Sequence, residues 1–235
     1  MSTRTRNGWL PGANLNGISG GIYFQVEMDD LREIEQALGM VKDKSKQVLK
    51  TAINNTARQT MNLMVSESAK RYQITQRVQV KKTLSLDKKA TVSSLEAIVT
   101  SKGRVNELYN FKVNPRVYVR GGGVPGGYKG KVLRVGSSGK KLELKSGGDG
   151  DTYKAFIVQY KNGKDNNDKG HITVAQRVPG TRSKKDPNKE AIKTLYSPSV
   201  PNMLGYEKGV FKVLKPKMYD LLQKNIQTQI IRYLK

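Results

Sequence analysis

Apolar residues recur at helical spacing in the first third of the chain, and they predict a long helical segment over residues 28–71. Asp29 or Asp30 would cap its start, because a carboxylate accepts hydrogen bonds from the free backbone N–H groups of a first turn. Gly39 and Asp43 interrupt the repeat, so a break is expected there. Small residues later in the segment favour close packing against a sheet or a second helix.

A second amphipathic stretch ends the chain and predicts a C-terminal helix over residues 206–235. Pro216 lies inside it. Proline lacks a backbone donor and crowds the preceding turn, so a kink or a restart of the helix is expected at that position.

Between the helices, residues 72–205 favour β-strands joined by long Gly/Lys-rich loops. Three runs, 155–158, 170–178 and 192–195, predict neighbouring strands of one antiparallel sheet. Prolines on both sides of Ser199 predict an irregular segment after them. The expected fold class is therefore α+β, with a mostly antiparallel sheet packed against a long N-terminal helix and a C-terminal amphipathic helix.

Weaker patterns occupy the rest of the β-rich region. Residues 90–102 and 110–120 alternate well enough for strands, and residues 131–135 and 141–145 flank a Gly-Ser-Ser-Gly turn, which is a hairpin signal. Residues 75–84 begin with a threonine suited to capping a helix but also alternate as a strand would. Helix and strand both stay open there on the residues alone.

The first 27 residues hold five glycines and no apolar repeat, which predicts a flexible N-terminal arm with one short strand over residues 22–26. Trp9 and Leu10 are its apolar point and a candidate inter-subunit contact. The rest of the chain, residues 28–235, is expected to form a single domain, in which the helical, β-rich and C-terminal helical parts follow one another.

The net charge of +24 is distributed unevenly. Residues 27–71 carry eight basic and seven acidic side chains, whereas residues 72–235 carry 33 basic and 12 acidic ones, a net charge of +21. Such a field attracts polyanions, above all nucleic acid, in a salt-dependent and sequence-independent way. A surface that meets acidic neighbours in an assembly is the alternative.

Few residues are suited to catalysis. The chain has no cysteine and one histidine, His171, and its acidic residues are dispersed. Thiolate nucleophiles and disulfides are excluded, a catalytic triad would depend on His171, and nuclease chemistry needs paired carboxylates. We therefore expect no enzyme, no metal and no cofactor. His171 is expected to be structural, with its imidazole bonded to a backbone carbonyl near the Pro-Ser-Val-Pro segment.

Two further patterns lack a specific signal. Residues 121–127 match G-x-G-x-x-G in form, but Pro125 lies inside the match and no βα unit surrounds it, so a loop is expected. The first 25 residues hold no apolar run after a basic one, and no run of about 18 apolar residues occurs anywhere. The expectation is a soluble protein made in the cytosol, without a membrane span.

Four pieces of the second half occur in an order that resembles the minor tail protein Z family of long-tailed bacteriophages and the related tail-completion proteins. These are an Ala-Phe-Ile strand, a Gly-His strand closing on an arginine, a Leu-Tyr-x-Pro-Ser-Val-Pro run and the amphipathic C-terminal helix. The matching residues are Ala155, Phe156, Gly170, His171, Arg177, Leu195, Tyr196, Pro198, Ser199, Val200, Pro201 and Leu204. The N-terminal half matches more loosely, through Ala52-Ile53-Asn54-Asn55-Thr56-Ala57, and the family precedent favours a helix over residues 75–84.

The resemblance implies a structural virion protein, a tail-completion or tail-terminator subunit. Such subunits assemble as a ring, with six copies expected, at the head-proximal end of the tail, where they join the tail tube to the neck around a DNA channel. The implied partners are further copies of the chain, the tail tube protein, neck or connector proteins and genomic DNA, with the tail sheath as a further candidate and no membrane. The implied location is the virion, after assembly in the host cytoplasm.

Exposed cations are the candidates for contact with channel DNA or an acidic partner: Lys81, Lys82, Lys88, Lys89, Arg182, Lys184 and Lys185. Phosphate contacts position DNA without reading its sequence. Two other readings stay open. One is a non-specific nucleic-acid-binding protein that acts outside a virion, although few aromatic residues are available for stacking on bases. The other is a tail protein whose charge meets acidic neighbours and never DNA.

Overall fold

A computed structural model describes residues 9–14, 17–25, 35–36, 38–119, 124, 127–133, 142–143, 145–148, 151–160, 170–178, 180–206 and 209–234. Helices and antiparallel sheets make up these parts, which confirms the expected α+β class. The chain divides into two compact units. Unit 1 comprises Met1–Ala69, Arg77–Arg104 and Ser199–Lys235, and unit 2 comprises Lys70–Gln76 and Val105–Pro198. The single domain over residues 28–235 stays a prediction.

The helices of the described residues are α1 (Ser45–Arg71), α2 (Arg77–Lys82), α3 (Val200–Gly205) and α4 (Val210–Leu234), and 3₁₀ turns span Gly39–Lys44 and Leu108–Asn110. The break expected at Gly39 is present: this glycine has φ +54°, a backbone conformation that residues with a Cβ rarely adopt. The expected capping residues Asp29 and Asp30 lie outside the described residues. Residues 77–82 are helical, as the family precedent favoured.

In unit 1 the long helices α1 and α4 pack antiparallel. Their buried apolar residues recur every three to four positions: Val48, Leu49, Ala52, Ile53, Ala57 and Met64 on α1, and Val210, Leu214, Met218, Leu222 and Ile226 on α4. At one end the Lys217 ammonium lies 2.7 Å from a carboxylate oxygen of the buried Glu67. At the other, the Asn225 amide donates to the Thr56 hydroxyl at 2.9 Å. The helix α4 continues through Pro216 without the restart that its position suggested.

The sheet of unit 1 is antiparallel, in the order β1 (Trp9–Asn14), β2 (Gly17–Gln25), β4 (Glu96–Gly103) and β3 (Leu84–Lys88). The strand predicted over residues 22–26 is present up to Gln25, but β2 starts earlier, at Gly17, and pairs with β1 and with β4, so residues 9–14 and 17–21 also form strands that were not predicted. A strand ladder needs only backbone N–H and C=O groups, and glycine-rich residues provide these without an alternating pattern. Trp9 and Leu10, the proposed docking point, lie in β1.

A side-chain clamp joins α1 to the segment after β3. The Asn54 amide nitrogen donates to the Ala90 carbonyl and its oxygen accepts from the Ala90 N–H, both at 2.9 Å. Ala90 is 2% exposed, so no water replaces these bonds easily. One asparagine thus pairs both backbone groups of a buried residue, as a strand neighbour would.

Replacing Asn54 with alanine should lower the free energy of unfolding by about 2–4 kcal/mol, because two backbone groups of a buried residue lose their partners. Chemical denaturation measures this change. Asn55→Ala, the neighbouring asparagine on the same helix, serves as the control and should cost less than about 1 kcal/mol. If both variants lower the free energy of unfolding equally, the two hydrogen bonds from Asn54 to Ala90 contribute no particular stability.

The segment around Ser199 is helical and not irregular as predicted. Ser199 caps α3, and its hydroxyl accepts a hydrogen bond from the Asn202 N–H at 3.4 Å. Pro201 lies in the first turn, where the missing donor would have had no helical partner, so the prolines that argued against regular structure start a helix instead. A Cβ at Gly103 would lie 3.3 Å from the Thr83 methyl group and 3.5 Å from the Pro201 ring, so the chains approach closely there.

The strands of unit 2 are β5 (Asn106–Glu107), β6 (Lys112–Asn114), β7 (Lys129–Lys131), β8 (Leu142–Glu143), β9 (Lys145–Gly148), β10 (Asp151–Lys154), β11 (Phe156–Tyr160), β12 (His171–Arg177), β13 (Ile192–Thr194) and β14 (Tyr196–Ser197). They form the sheets β11-β12-β13, β6-β7-β8, β9-β10 and β5-β14. The first of these is the antiparallel sheet predicted from three runs of sequence.

Other strand predictions hold in part. β4 starts at Glu96, later than residue 90, and β6 ends at Asn114, so residues 115–119 are not a strand. The predicted hairpin pairs Gly130 with Leu142, which places its first strand nearer the N-terminus than expected. Residues 134–141, which include the Gly-Ser-Ser-Gly turn of this hairpin, lie outside the described residues.

A small apolar core holds unit 2 together. It consists of Leu108, Val113, Tyr128, Ala155, Ile157 and Val174. Leu195 connects the sheet to the 3₁₀ turn at Leu108: its N–H donates to the Val174 carbonyl at 2.8 Å, and its carbonyl accepts from the Leu108 N–H at 2.9 Å. None of the helices in the described parts of the chain is long and apolar enough to cross a membrane.

Candidate functional site

The family-motif residues fall on elements of both units. Ala155, Phe156, His171 and Arg177 lie on or beside the paired strands β11 and β12, and Gly170 precedes β12 with φ +58°. Tyr196 pairs with Glu107, and the Pro198 carbonyl accepts from the Asn106 amide at 2.9 Å. Ser199, Val200, Pro201 and Leu204 form and cap α3, and all four are buried. The positions in α3 shape the fold, whereas His171, Arg177, Tyr196 and Pro198 are exposed.

His171 has a partner different from the one predicted. Its Nε2 atom lies 2.9 Å from a carboxylate oxygen of Glu107, and not against a backbone carbonyl. The imidazole also stacks on the Tyr160 ring, with 6.1 Å between the centroids and an angle of 15° between the planes. The expected carbonyl contact is therefore corrected. Because the histidine side chain is 53% exposed, a contact with a charged neighbour costs less desolvation than a buried one would.

The connection between β12 and β13, residues 181–189, is an ordered basic loop. Val178 opens it by donating to the Ala191 carbonyl at 2.9 Å, and Ser183 donates its N–H to the Lys189 carbonyl at 2.8 Å. The Lys189 N–H returns a bond to the Asp186 carbonyl at 3.0 Å. These bonds hold the backbone from which the cationic side chains of the loop project.

The basic loop exposes three cations predicted as contacts, Arg182, Lys184 and Lys185. Among the described residues none of the three has a carboxylate partner. Lys189 differs, because its ammonium lies 2.7 Å from the Asp186 carboxylate. The loop therefore offers three unneutralised cations on a preformed backbone, which suits contact with a chain of phosphates.

The Asp186 carboxylate organises the second half of the loop. A hydrogen bond from the Lys189 ammonium, then one from the Asn188 N–H, lowers the pKa of Asp186 below its usual value. A carboxylate with a lowered pKa contributes order that is present above its unfolded pKa and lost as the pH falls through the folded one. We therefore expect the amide of Asn188 to lose protection from hydrogen exchange under acid conditions, before the sheet unfolds.

Asp186→Asn should remove that acid step while the amides of β12 keep their protection. Exchange followed by NMR across the acid range measures both. Identical acid profiles for the parent chain and the variant would contradict the role given to Asp186.

A cleft of about 490 Å³ lies beside the basic loop within unit 2. Ser183 and Lys189 of the loop line it together with Tyr118, Phe156 and Arg177. The Arg177 guanidinium lies 5.7 Å from the centre of the Phe156 ring and donates to the Glu190 carbonyl at 3.2 Å. The cleft thus has an aromatic wall and a cationic rim, next to the unneutralised cations of the loop.

The other predicted contacts lie in unit 1. Lys81 and Lys82 end α2, and Lys88 and Lys89 lie at the end of β3; all four are exposed. Lys88 forms an ion pair with Glu96, which reduces its charge towards a ligand. The remaining three have no carboxylate partner in the part of the chain that the structure describes.

Some residues at or near the basic loop and the cleft could not be identified as functional from the sequence. Glu107 is one, because its pairing with His171 joins positions far apart in the chain. Tyr118 and Phe156 are others, since only the fold brings them to one cleft. Asp186 and Lys189 had a local signal, an acid and a base three residues apart in a proline-containing turn. The described residues include no group of three or more histidine, aspartate or glutamate side chains placed to hold a metal ion.

No protein-family model, curated protein or solved structure shows a significant match to this chain. The resemblance to the tail-protein family therefore stays a prediction that rests on the four sequence pieces.

Proposed function

We propose that the protein is a structural subunit of a bacteriophage tail, a tail-completion or terminator protein that forms a ring at the head-proximal end of the tail. In that position it joins the tail tube to the neck and borders the channel through which DNA passes. Its location is the virion, and its partners are copies of itself, the tube and neck proteins, and DNA held through phosphates.

The observation that carries the proposal is the basic loop. Arg182, Lys184 and Lys185 are exposed on a backbone fixed by hydrogen bonds, within residues 72–235, which carry a net charge of +21. Fixed cations without base-reading contacts suit DNA that slides past, because counterion release supplies affinity whatever the sequence. The order of the family motifs along the chain supports the tail assignment.

A non-specific nucleic-acid-binding protein outside a virion is the second candidate. The cleft favours it, because Tyr118 and Phe156 provide an aromatic surface next to the basic loop, and single-stranded nucleic acid uses such surfaces for stacking. Against it stands the small share of aromatic residues, 7% of the whole chain, with four Phe, one Trp and 11 Tyr spread along it.

Gel filtration before and after nuclease treatment, followed by negative-stain microscopy, separates the two. The tail proposal predicts that rings persist once nucleic acid is digested. A chain that stays monomeric and retards any DNA at low salt would contradict it and favour the second candidate. Rings whose assembly depends on salt but which retain no DNA would assign the charge to acidic neighbours.

A further inference from the structure

The helix α4 carries apolar residues on a face that it does not bury. Val213 is 43% exposed and Ile231 is 57% exposed. The two are 18 positions apart (231 − 213), which is about five turns at 3.6 residues per turn, so both side chains leave the helix in the same direction. Single exposed apolar residues are ordinary on a surface, but these two define one line along α4.

An open groove of about 570 Å³ lies on this face between α1 and α4. Leu63 of α1 and Leu221 of α4, both half-buried, line it. Asp220 and Lys224, both exposed, stand on the α4 side. Lys217 also lines the groove, but its ammonium pairs with Glu67 at 2.7 Å. The groove thus has apolar residues with Asp220 and Lys224 beside them, and it lies between Val213 and Ile231 along the helix.

This face is complementary to itself when a second α4 is laid antiparallel against it. Asp220 and Lys224 are each two positions from Leu222, and Val213 and Ile231 are each nine positions from it. A two-fold axis at the level of Leu222 therefore places Asp220 opposite Lys224 of the second copy, and Val213 opposite Ile231 of the second copy. Each contact occurs twice by symmetry.

We propose that two copies of the chain pair antiparallel through α4, each helix lying along the groove of the other. Apolar residues then meet apolar residues, and opposite charges meet in the same register, which is the charge complementarity that specifies a partner. An isologous contact of this kind closes at two copies. This two-fold contact goes beyond the proposed function. Neighbouring subunits of a ring contact each other through two different surfaces, so ring formation does not require that α4 pairs with a second α4.

Charge variants test the register. Asp220→Lys alone and Lys224→Asp alone each place like charges opposite one another, so each variant should dissociate at a concentration roughly tenfold higher than the parent chain. An equimolar mixture of the two variants restores opposite charges at both contacts and should recover the pairing. Sedimentation equilibrium measures the mass against that of the 26.2 kDa chain. Asp43→Lys, an exposed site off α4 with the same change of charge, is the matched control and should pair normally.

Cysteine variants test the contact itself, whether or not larger rings also form. The chain has no cysteine, so Val213→Cys and Ile231→Cys introduce single thiols. On oxidation, a mixture of the two should give a disulfide-linked dimer, and neither alone should, because a disulfide needs Cβ atoms about 3.5–4.5 Å apart.

A pure chain that stays monomeric at every concentration would overturn the inference, and would leave the groove to a helix of another protein. Dimers that tolerate both charge variants, or disulfides that form equally well within each cysteine variant alone, would place the contact elsewhere. Either result would leave the ring proposal standing.

Discussion

A chain that ends at Tyr206, before α4, should fail to fold unit 1 cooperatively. The helix α4 contributes five buried apolar side chains to the core against α1: Val210, Leu214, Met218, Leu222 and Ile226. Each is worth about 1.5–3 kcal/mol on burial, so the loss is roughly 7–15 kcal/mol. That equals the whole free energy of unfolding of an ordinary domain, about 5–15 kcal/mol.

The same truncation removes polar contacts between α4 and α1. Glu67, whose side chain is 8% exposed, loses the Lys217 ammonium at 2.7 Å, and Thr56 loses the Asn225 amide. Circular dichroism and thermal unfolding would measure the result. Lys215→Ala, at an exposed position of α4 outside the proposed contact between copies, is the control and should change the stability by less than about 0.5 kcal/mol. A soluble truncated chain whose unit 1 still unfolds in a cooperative transition would contradict the prediction.

Reversing the charge of Lys184 and Lys185 should weaken DNA retention by about tenfold or more, with the fold intact. Both side chains are exposed and neither supports the loop backbone by a side-chain bond, so thermal stability should change little. Each phosphate contact contributes about 0.9 to the slope of log affinity against log salt, so two lost contacts should lower that slope by about 2. Filter binding of duplex DNA across a salt series measures both quantities.

The control for this prediction carries the same change of net charge elsewhere. Lys46→Glu with Lys212→Glu alters exposed lysines of unit 1 that lie outside the predicted contacts. It should lower the affinity less and leave the salt slope almost unchanged. If the two double variants lose affinity equally, the overall field of the protein binds DNA and the basic loop has no special role.

The sequence predicts those elements of the fold in which apolar residues recur at a regular spacing. The apolar spacing gives α1 and α4, and three separate runs give the sheet β11-β12-β13, because burial of one face imposes a period on the residues. The break at Gly39 is also predicted correctly, because a glycine is the local sequence signal for a backbone with positive φ. The predictions fail where backbone groups or proline positions decide, as in the hairpin β1-β2 and in α3.

The candidate site follows the same division. Arg182, Lys184 and Lys185 can be identified from charge alone, because exposed lysines and arginines need no tertiary partner. The cleft cannot, since Phe156 and Tyr118 meet the loop only after β11 and β12 have paired. The Asn54 clamp and the contact of His171 with Glu107 also depend on residues brought together by folding. Sequence therefore indicates which groups are charged, and the fold decides which of them are fixed and which are neutralised.

The basic loop and the helix α4 have different roles in the proposed subunit, and they lie in separate compact units. Unit 2 carries fixed cations on the β12–β13 connection, and unit 1 carries the α1–α4 pair with its groove. Substitutions in the loop should therefore change polyanion binding with little effect on stability, whereas substitutions in the buried face of α4 should change stability first.

The most direct test of the ring proposal is an averaged electron-microscopy image of the assembled protein with the loop labelled. Because the chain has no cysteine, Lys184→Cys gives one site for a gold cluster on each copy. The account predicts a closed ring with the labels around its central channel. Labels on the outer rim, or a population of single particles with no ring under any condition, would contradict it.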